Sequence, residues 1–209
     1  GEKAGTSRLI VDVSEEPVFS AAFFGDNFGS PSTGRAQAHA QLALSDAAGI
    51  GELTRLGFSY SEGQRYASAS FNAPLTASGL SLSANYGFLD YENVDPVGQA
   101  AGLEGRAHYG SLALQYQATR SRDFNLRFSA ALNGKALTDD STAGRLSDKR
   151  IVSGTFGVTT DATDKWLGGG ITQISASWTY GDLDLSRVPS AAFADALGPK
   201  TQGGFHRLN

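Results

Sequence analysis

The 209 residues carry a formal net charge of −4, 26 glycines, 18% charged residues and no cysteine. That composition sets aside nucleic-acid binding, a disulfide scaffold and a thiolate metal site. No apolar run reaches the roughly 18 residues of a membrane-crossing helix, which leaves a membrane-spanning β-barrel open because barrels need no such run. The first ten residues, GEKAGTSRLI, lack the apolar stretch of a signal peptide.

SRLIVDVSEE (7–16) leads to Pro17, and from there the chain reads as short segments of alternating polarity. The alternation predicts strands near 18–29, 35–45, 53–61, 65–73, 80–89, 106–118, 125–133, 150–160 and 171–182, with a tenth starting at Phe205. Segment 18–29 is ambiguous, because Phe23 and Phe24 are adjacent. LSLSANYGF (80–88) is the cleanest: Leu80, Leu82, Ala84, Tyr86 and Phe88 share one face, and Ser81, Ser83, Asn85 and Gly87 the other. Segment 106–118 is less regular, and a bulge at Gly110 is predicted to move its apolar face from Tyr109 to Leu112. In 150–160, Val152, Phe156 and Val158 oppose Ser153, Thr155 and Thr159. In 171–182, Ile174, Ala176, Trp178 and Tyr180 oppose Gln173, Ser175, Ser177 and Thr179. PSAAFADALG (189–198) has the Pro start and Gly end of a short helix in the last long link.

Two features say what the faces meet. The polar face is built from Ser, Thr, Asn, Gln and Gly, where a soluble sandwich would carry Lys and Glu. The mid-strand charges Arg55 and Arg127 share its parity, and an Arg on a lipid face would cost about 2–4 kcal/mol. The links alternate as well. SDAAGIGE, PLTASG, TRSRDF and TDATDKW are short turns, and after the first two hairpins the opposite links at 90–105, 134–149 and 183–204 are long. Short turns at one end and long loops at the other mark outer-membrane barrels. The expected fold is all-β, an antiparallel up-and-down transmembrane barrel, its apolar face on lipid. Arg55, Ser81, Ser83, Asn85 and Arg127 are the lumen-facing candidates.

No catalytic constellation accompanies this pattern. His39, His108 and His206 are scattered, GIGELT opens no helix after a strand, and GSPSTG lacks the spacing of a nucleophile elbow. The bland reading of the histidines is isolated lumen or rim residues. Asp139–Asp140 and Asp182–Asp184 are either calcium ligands at the rim or solvated loop acids, and GGG (168–170) reads as a turn or strand entry. The expectation is a protein that is no enzyme and uses no cofactor.

The run from Gly5 to Phe88 resembles the outer-membrane transporters of two-partner secretion, the haemolysin secretion/activation family or TpsB class. The matching residues are SRLIVDV before Pro17; Asp26, Asn27, Phe28 and Gly29; Thr33 and Gly34; Gly49, Gly51 and Glu52; and Pro74 with Leu75. GGFHRLN (203–209) resembles the family's re-entry into a later strand. Glu52 stands where the family pattern leads one to expect Asp, and the family's Val-Arg-Gly-Tyr loop motif has no counterpart here. The resemblance implies that residues 1–16 end a periplasmic POTRA domain and that 17–209 supply about ten strands of a barrel of roughly sixteen. A half barrel would leave two unpaired edges in lipid, so a fragment is expected. It also implies a function: a single barrel that carries a haemolysin- or adhesin-like exoprotein across the bacterial outer membrane. The alternatives are another outer-membrane barrel, either a porin or a POTRA-barrel assembly factor, and a soluble secreted β-sandwich or adhesin. The competing reading of the Asp26–Gly34 motif is a hairpin turn with its flanks.

Overall fold

The computed structural model describes residues 12, 17–164 and 169–209. The predicted segment at 7–16 therefore lies, apart from Asp12, outside the described residues. The strands are β1 (Phe19–Asp26), β2 (Gln37–Ser45), β3 (Leu53–Ser61), β4 (Gln64–Pro74) and β5 (Leu80–Glu92), followed by β6 (Glu104–Arg120), β7 (Phe124–Ser141), β8 (Gly144–Asp164), β9 (Gly170–Asp184) and β10 (Gly203–Leu208). They form one ten-stranded sheet in sequence order. Every neighbouring pair is antiparallel, so the chain is a meander without crossovers.

Register carries the alternation of each strand across the whole sheet. Through Leu82 runs a row of Ala73, Leu82, Leu114, Ala130, Phe156, Trp178 and Leu208. One residue along, through Ser83, lie Asn72, Ser83, Ala113, Ala131, Thr155, Thr179 and Arg207. A one-residue slip in any pair would exchange these rows, so the match of ten strands pins the register.

Among the described residues the apolar face has no second layer. Phe58, Tyr86, Phe156 and Trp178 are 47–50% exposed and Val152 is 68% exposed, while the buried hydrophobics among the described residues are Ala73, Leu185 and Val188. A sandwich would bury those aromatics almost wholly.

Four local expectations need correction or completion. Gly110 makes regular pairs with Tyr86 and Gly134, and the register shift in this region sits between Gln117 and Thr119. Tyr109 therefore belongs to the polar face, and Leu112, Leu114 and Tyr116 to the apolar face, with no switch at Gly110. Phe23 and Phe24 are settled by pairing: Phe23 opposes Ala40 on the apolar face, and Phe24 opposes His39 on the polar one. The segment 134–149 is not a loop. Strands β7 and β8 run through it and meet in a tight turn at 142–143, where Gly144 takes φ 113°. Its charges pair across the hairpin, Arg145 Nε donating to Asp140 at 2.9 Å, so polarity there reflects water outside the sheet and not loss of the ladder. Finally, the link after β5 holds a helix the sequence reading passed over, α1 (Pro96–Ala101), capped by the Asp95 carboxylate. The helix expected at 189–198 is present as α2 (Pro189–Leu197).

Candidate functional site on the polar face

The five lumen-facing candidates stand on one face of the sheet. Ser83 and Asn85 share parity with Arg55 through the pairs Arg55–Ser70 and Ser70–Asn85, Ser81 pairs Gln115, and Arg127 pairs Gln117. Cross-strand hydrogen bonds tie the short polar groups into a wall. The Ser83 hydroxyl donates to Asn72 Oδ1 at 2.7 Å, Asn85 Nδ2 donates to Ser111 Oγ at 3.2 Å, and Arg127 Nε donates to Gln117 Oε1 at 3.2 Å. Thr155 and Thr179 share a hydrogen bond of 2.9 Å. Gln41, Arg55, Ser68, Ser70, Asn85 and Tyr109 line a hollow of about 570 Å³ on this face. Groups already paired with each other offer a solute many weak contacts and no tight one.

Aromatic side chains on this face lie flat. A Cβ at Gly87 would collide with the ring of Tyr109, and one at Gly181 with the ring of Phe205; at Gly105 it would come within 2.7 Å of the Tyr91 ring. Each glycine is the direct cross-strand partner of its aromatic residue. Missing side chains thus make room for rings to lie along the wall, and a hydroxyl holds one of them: Tyr91 donates to Asp139 Oδ1 at 2.7 Å. Sequence reading missed this pairing. Its signal was glycine on the polar face, but only the register shows which aromatic residue each glycine faces.

The family-motif residues divide between the two ends of the sheet. At the end with the long links, Asp26 Oδ1 accepts from the Phe28 N–H at 3.0 Å, and Phe28 and Asn27 are exposed. Gly29 and Gly34 pack where side chains do not fit: a Cβ on Gly29 would overlap the Gly34 carbonyl, and one on Gly34 would lie 2.8 Å from Glu62 Cβ. The Thr33 carbonyl accepts from Ser61 Oγ at 2.6 Å and from Gly63 N–H at 2.8 Å. The β1–β2 link is therefore sewn onto the β3–β4 turn. At the other end, the Glu52 carboxylate accepts from Ala48 N–H at 2.6 Å and Ile50 N–H at 3.4 Å, and Asp46 Oδ1 accepts from Gly51 N–H at 2.6 Å. Gly49 and Gly51 take φ 74° and 78°, and Pro74 packs beside Gly51. The Ala48 amide, foremost, holds the Glu52 carboxyl below its ordinary range. Glutamate, one methylene longer than the expected aspartate, still reaches these amides.

The other polar motifs are occupied by the protein's own groups. His39 stacks on Phe24 with ring centroids 4.7 Å apart and lies 3.2 Å from Asp26 Oδ2, too far off line for a hydrogen bond. His108 and His206 stand on the apolar face and not on the polar one, beside Tyr86 and Phe88 and beside Trp178 and Tyr180. Asp139 takes the hydroxyls of Tyr91 and Ser147, Asp140 takes Arg145, and Asp184 takes the Ser186 N–H. Among the described residues no group of three acids or histidines could hold a metal ion. GGG ends in the first residue of β9, as a strand entry would; Gly168 is outside the described residues.

Comparison with known proteins places this geometry. The heme/hemopexin transporter protein HuxB of Haemophilus influenzae is 27% identical over 190 residues, 88% of this chain and 32% of the relative; this chain thus spans about a third of that protein. CdiB from Escherichia coli superposes with a TM-score of 0.67 at 21% identity, covering 81% of this chain and 32% of that one. CdiB from Acinetobacter baumannii follows with a TM-score of 0.55 at 15% identity, over 79% of this chain and 33% of that one. These structures support the fold: an all-β antiparallel barrel, of which this sheet is a part. Residues 5–181 match the family model "Haemolysin secretion/activation protein ShlB/FhaC/HecB", and the chain belongs to that family.

Proposed function

We propose that these ten strands are part of the wall of a bacterial outer-membrane pore that secretes one partner polypeptide, with residues 1–16 ending a periplasmic POTRA domain. The observation that carries the reading is the division of faces. One is broadly exposed and apolar, the other is lined by small, mutually paired polar groups, and both continue across all ten strands. In this reading the apolar face meets outer-membrane lipid. Arg55, Ser81, Ser83, Asn85 and Arg127 face the lumen, where weakly binding groups let an extended chain slide without being held. Asp26 to Gly34 shape the surface end, and Gly49 to Pro74 the periplasmic turns. The barrel works as a single unit, and no bond chemistry is asked of it.

The partner is a haemolysin- or adhesin-like exoprotein; the likeness to HuxB adds a heme/hemopexin-related cargo as a second class. Deleting the full-length protein is expected to trap one large exoprotein in the periplasm while other outer-membrane proteins assemble normally. Normal delivery of every exoprotein would refute secretion. A general loss of outer-membrane proteins would favour an assembly factor instead.

A further inference from the structure

The apolar face is uneven at the end that carries the long links. One register row across β1 to β5 reads Phe23, Ala40, Phe58, Ala67 and Phe88, so rings alternate with methyl groups. These side chains line a hollow of about 480 Å³, with Tyr60 and Arg65 at its outward end. Arg65 stands two residues beyond Ala67 on the same face of β4 and is exposed. On β5 the apolar residues run from Leu80 to Phe88, about the 9–11 positions of one membrane crossing. Asp90 follows, with Arg65 and Arg106 as its cross-strand neighbours. Arg106 Nε donates to Asp90 Oδ2 at 2.9 Å, whereas the Arg65 guanidinium has neither hydrogen bond nor ion pair among the described residues. A free guanidinium thus stands where the apolar face ends, at the head of an apolar hollow.

We propose that this hollow holds an acyl chain of a phosphorylated lipid of the outer leaflet, with the lipid's phosphate on Arg65. The proposal rests on the reading above that the apolar face meets lipid, and it names the lipid that this part of the face selects. Charge complementarity favours the phosphate. A guanidinium presents paired N–H donors that match phosphate oxygens, and Arg65 has no carboxylate of its own to satisfy it. Tyr60, its direct cross-strand partner and 57% exposed, sets an amphipathic ring at the same boundary of lipid and water. Shape favours the acyl chain. Phe58 and Phe88 flank Ala67, and Phe23 and Phe58 flank Ala40, so a methylene chain gains contact on both sides that a level apolar face does not give. An uncharged lipid fills the hollow but leaves the guanidinium unmatched. A second hollow on this face, about 440 Å³ among Leu112, Ala130, Phe156 and Trp178, has no charged residue in its lining and selects no headgroup.

The test uses the full-length protein purified in detergent, with lipid A, a phosphorylated and acylated disaccharide, as the probe. Native mass spectrometry reads the lipid retained. Wild type is expected to retain lipid A about tenfold better than the same lipid stripped of its phosphates, the worth of a charge-assisted contact. Arg65→Gln should lose retention of lipid A by the same factor, with Arg65→Lys in between. Ala67→Phe fills the hollow and should lose retention although Arg65 is intact. Ala130→Phe, in the second hollow, should retain lipid A as wild type does. Heat-modifiable migration confirms that each variant has assembled. Equal retention by wild type and Arg65→Gln would overturn the lipid site while leaving a lipid-facing barrel in place. Full retention by Ala67→Phe would overturn it too, by reducing Arg65 to a surface anion contact. Equal loss in Ala130→Phe would replace it with an unselective lipid shell. If salt alone extracts the full-length protein from membranes, the lipid-facing reading falls and this site with it.

Discussion

Glu52 and Gly87 act through what their neighbours lack. The turn at 46–52 leaves amides that no strand can satisfy, and Glu52 accepts two of them. Because these donors hold its folded pKa below the ordinary glutamate range, its stabilisation is complete above about pH 4.3 and is lost as pH falls through the lower folded value. The Ala48 amide proton resonance should therefore titrate with a midpoint below about 4.3, and E52Q should abolish that titration; a midpoint above the ordinary value would contradict the assignment. Gly87 makes room for the Tyr109 ring, and a methyl there collides with it. Gly87→Ala is expected to cost about 1–3 kcal/mol in denaturant unfolding of the micelle-bound protein. Adding Tyr109→Ser should recover much of that loss. Equal stability of wild type and Gly87→Ala would show that the ring yields freely. Legibility at this scale was uneven: GIGE was readable as a turn motif, whereas the Gly87–Tyr109 contact joins residues 22 positions apart and depends on register.

Within an element, parity decides the outcome of a substitution. Leu82 and Ser83 are adjacent in β5 but point to opposite faces, one in the row of Leu114 and Trp178, the other hydrogen-bonded to Asn72. In a barrel wall Leu82→Arg should cost about 2–4 kcal/mol at mid-membrane and block assembly, and Ser83→Arg should assemble normally. Equal tolerance, scored by heat-modifiable migration, would refute the face assignment. Strand positions were legible because alternation survives in a single sequence. Strand ends were not: β7 and β8 continue through NGKALTDDSTAGRLSDK, a stretch as polar as any loop, because cross-strand pairs such as Arg145 with Asp140 replace burial. Helix α2 was readable from its Pro and Gly; α1 has the same signals in Pro96 and Gly102, with the Asp95 cap besides, but is only six residues long.

At the scale of the molecule, the sheet has an apolar face on which none of the described residues packs as a second layer, so the full-length protein should leave the membrane fraction only with detergent and then show a strand-dominated circular dichroism spectrum. Extraction by salt alone would count against a barrel and for a soluble sandwich. The sequence by itself determined the period-2 alternation, the sorting of Ser, Thr and Asn from Leu, Phe and Trp, the order of the strands and the likeness to a secretion family, since each of these is written in consecutive residues. The tertiary structure alone decided the register, and with it three things. It put Tyr109 on the polar face without a bulge, laid the aromatic rings on glycines of the next strand, and carried β7 and β8 unbroken through the polar segment 134–149. The reason is physical: alternation says only that a strand has two faces. Which residue stands opposite which is set by the hydrogen-bond ladder between segments far apart in the chain.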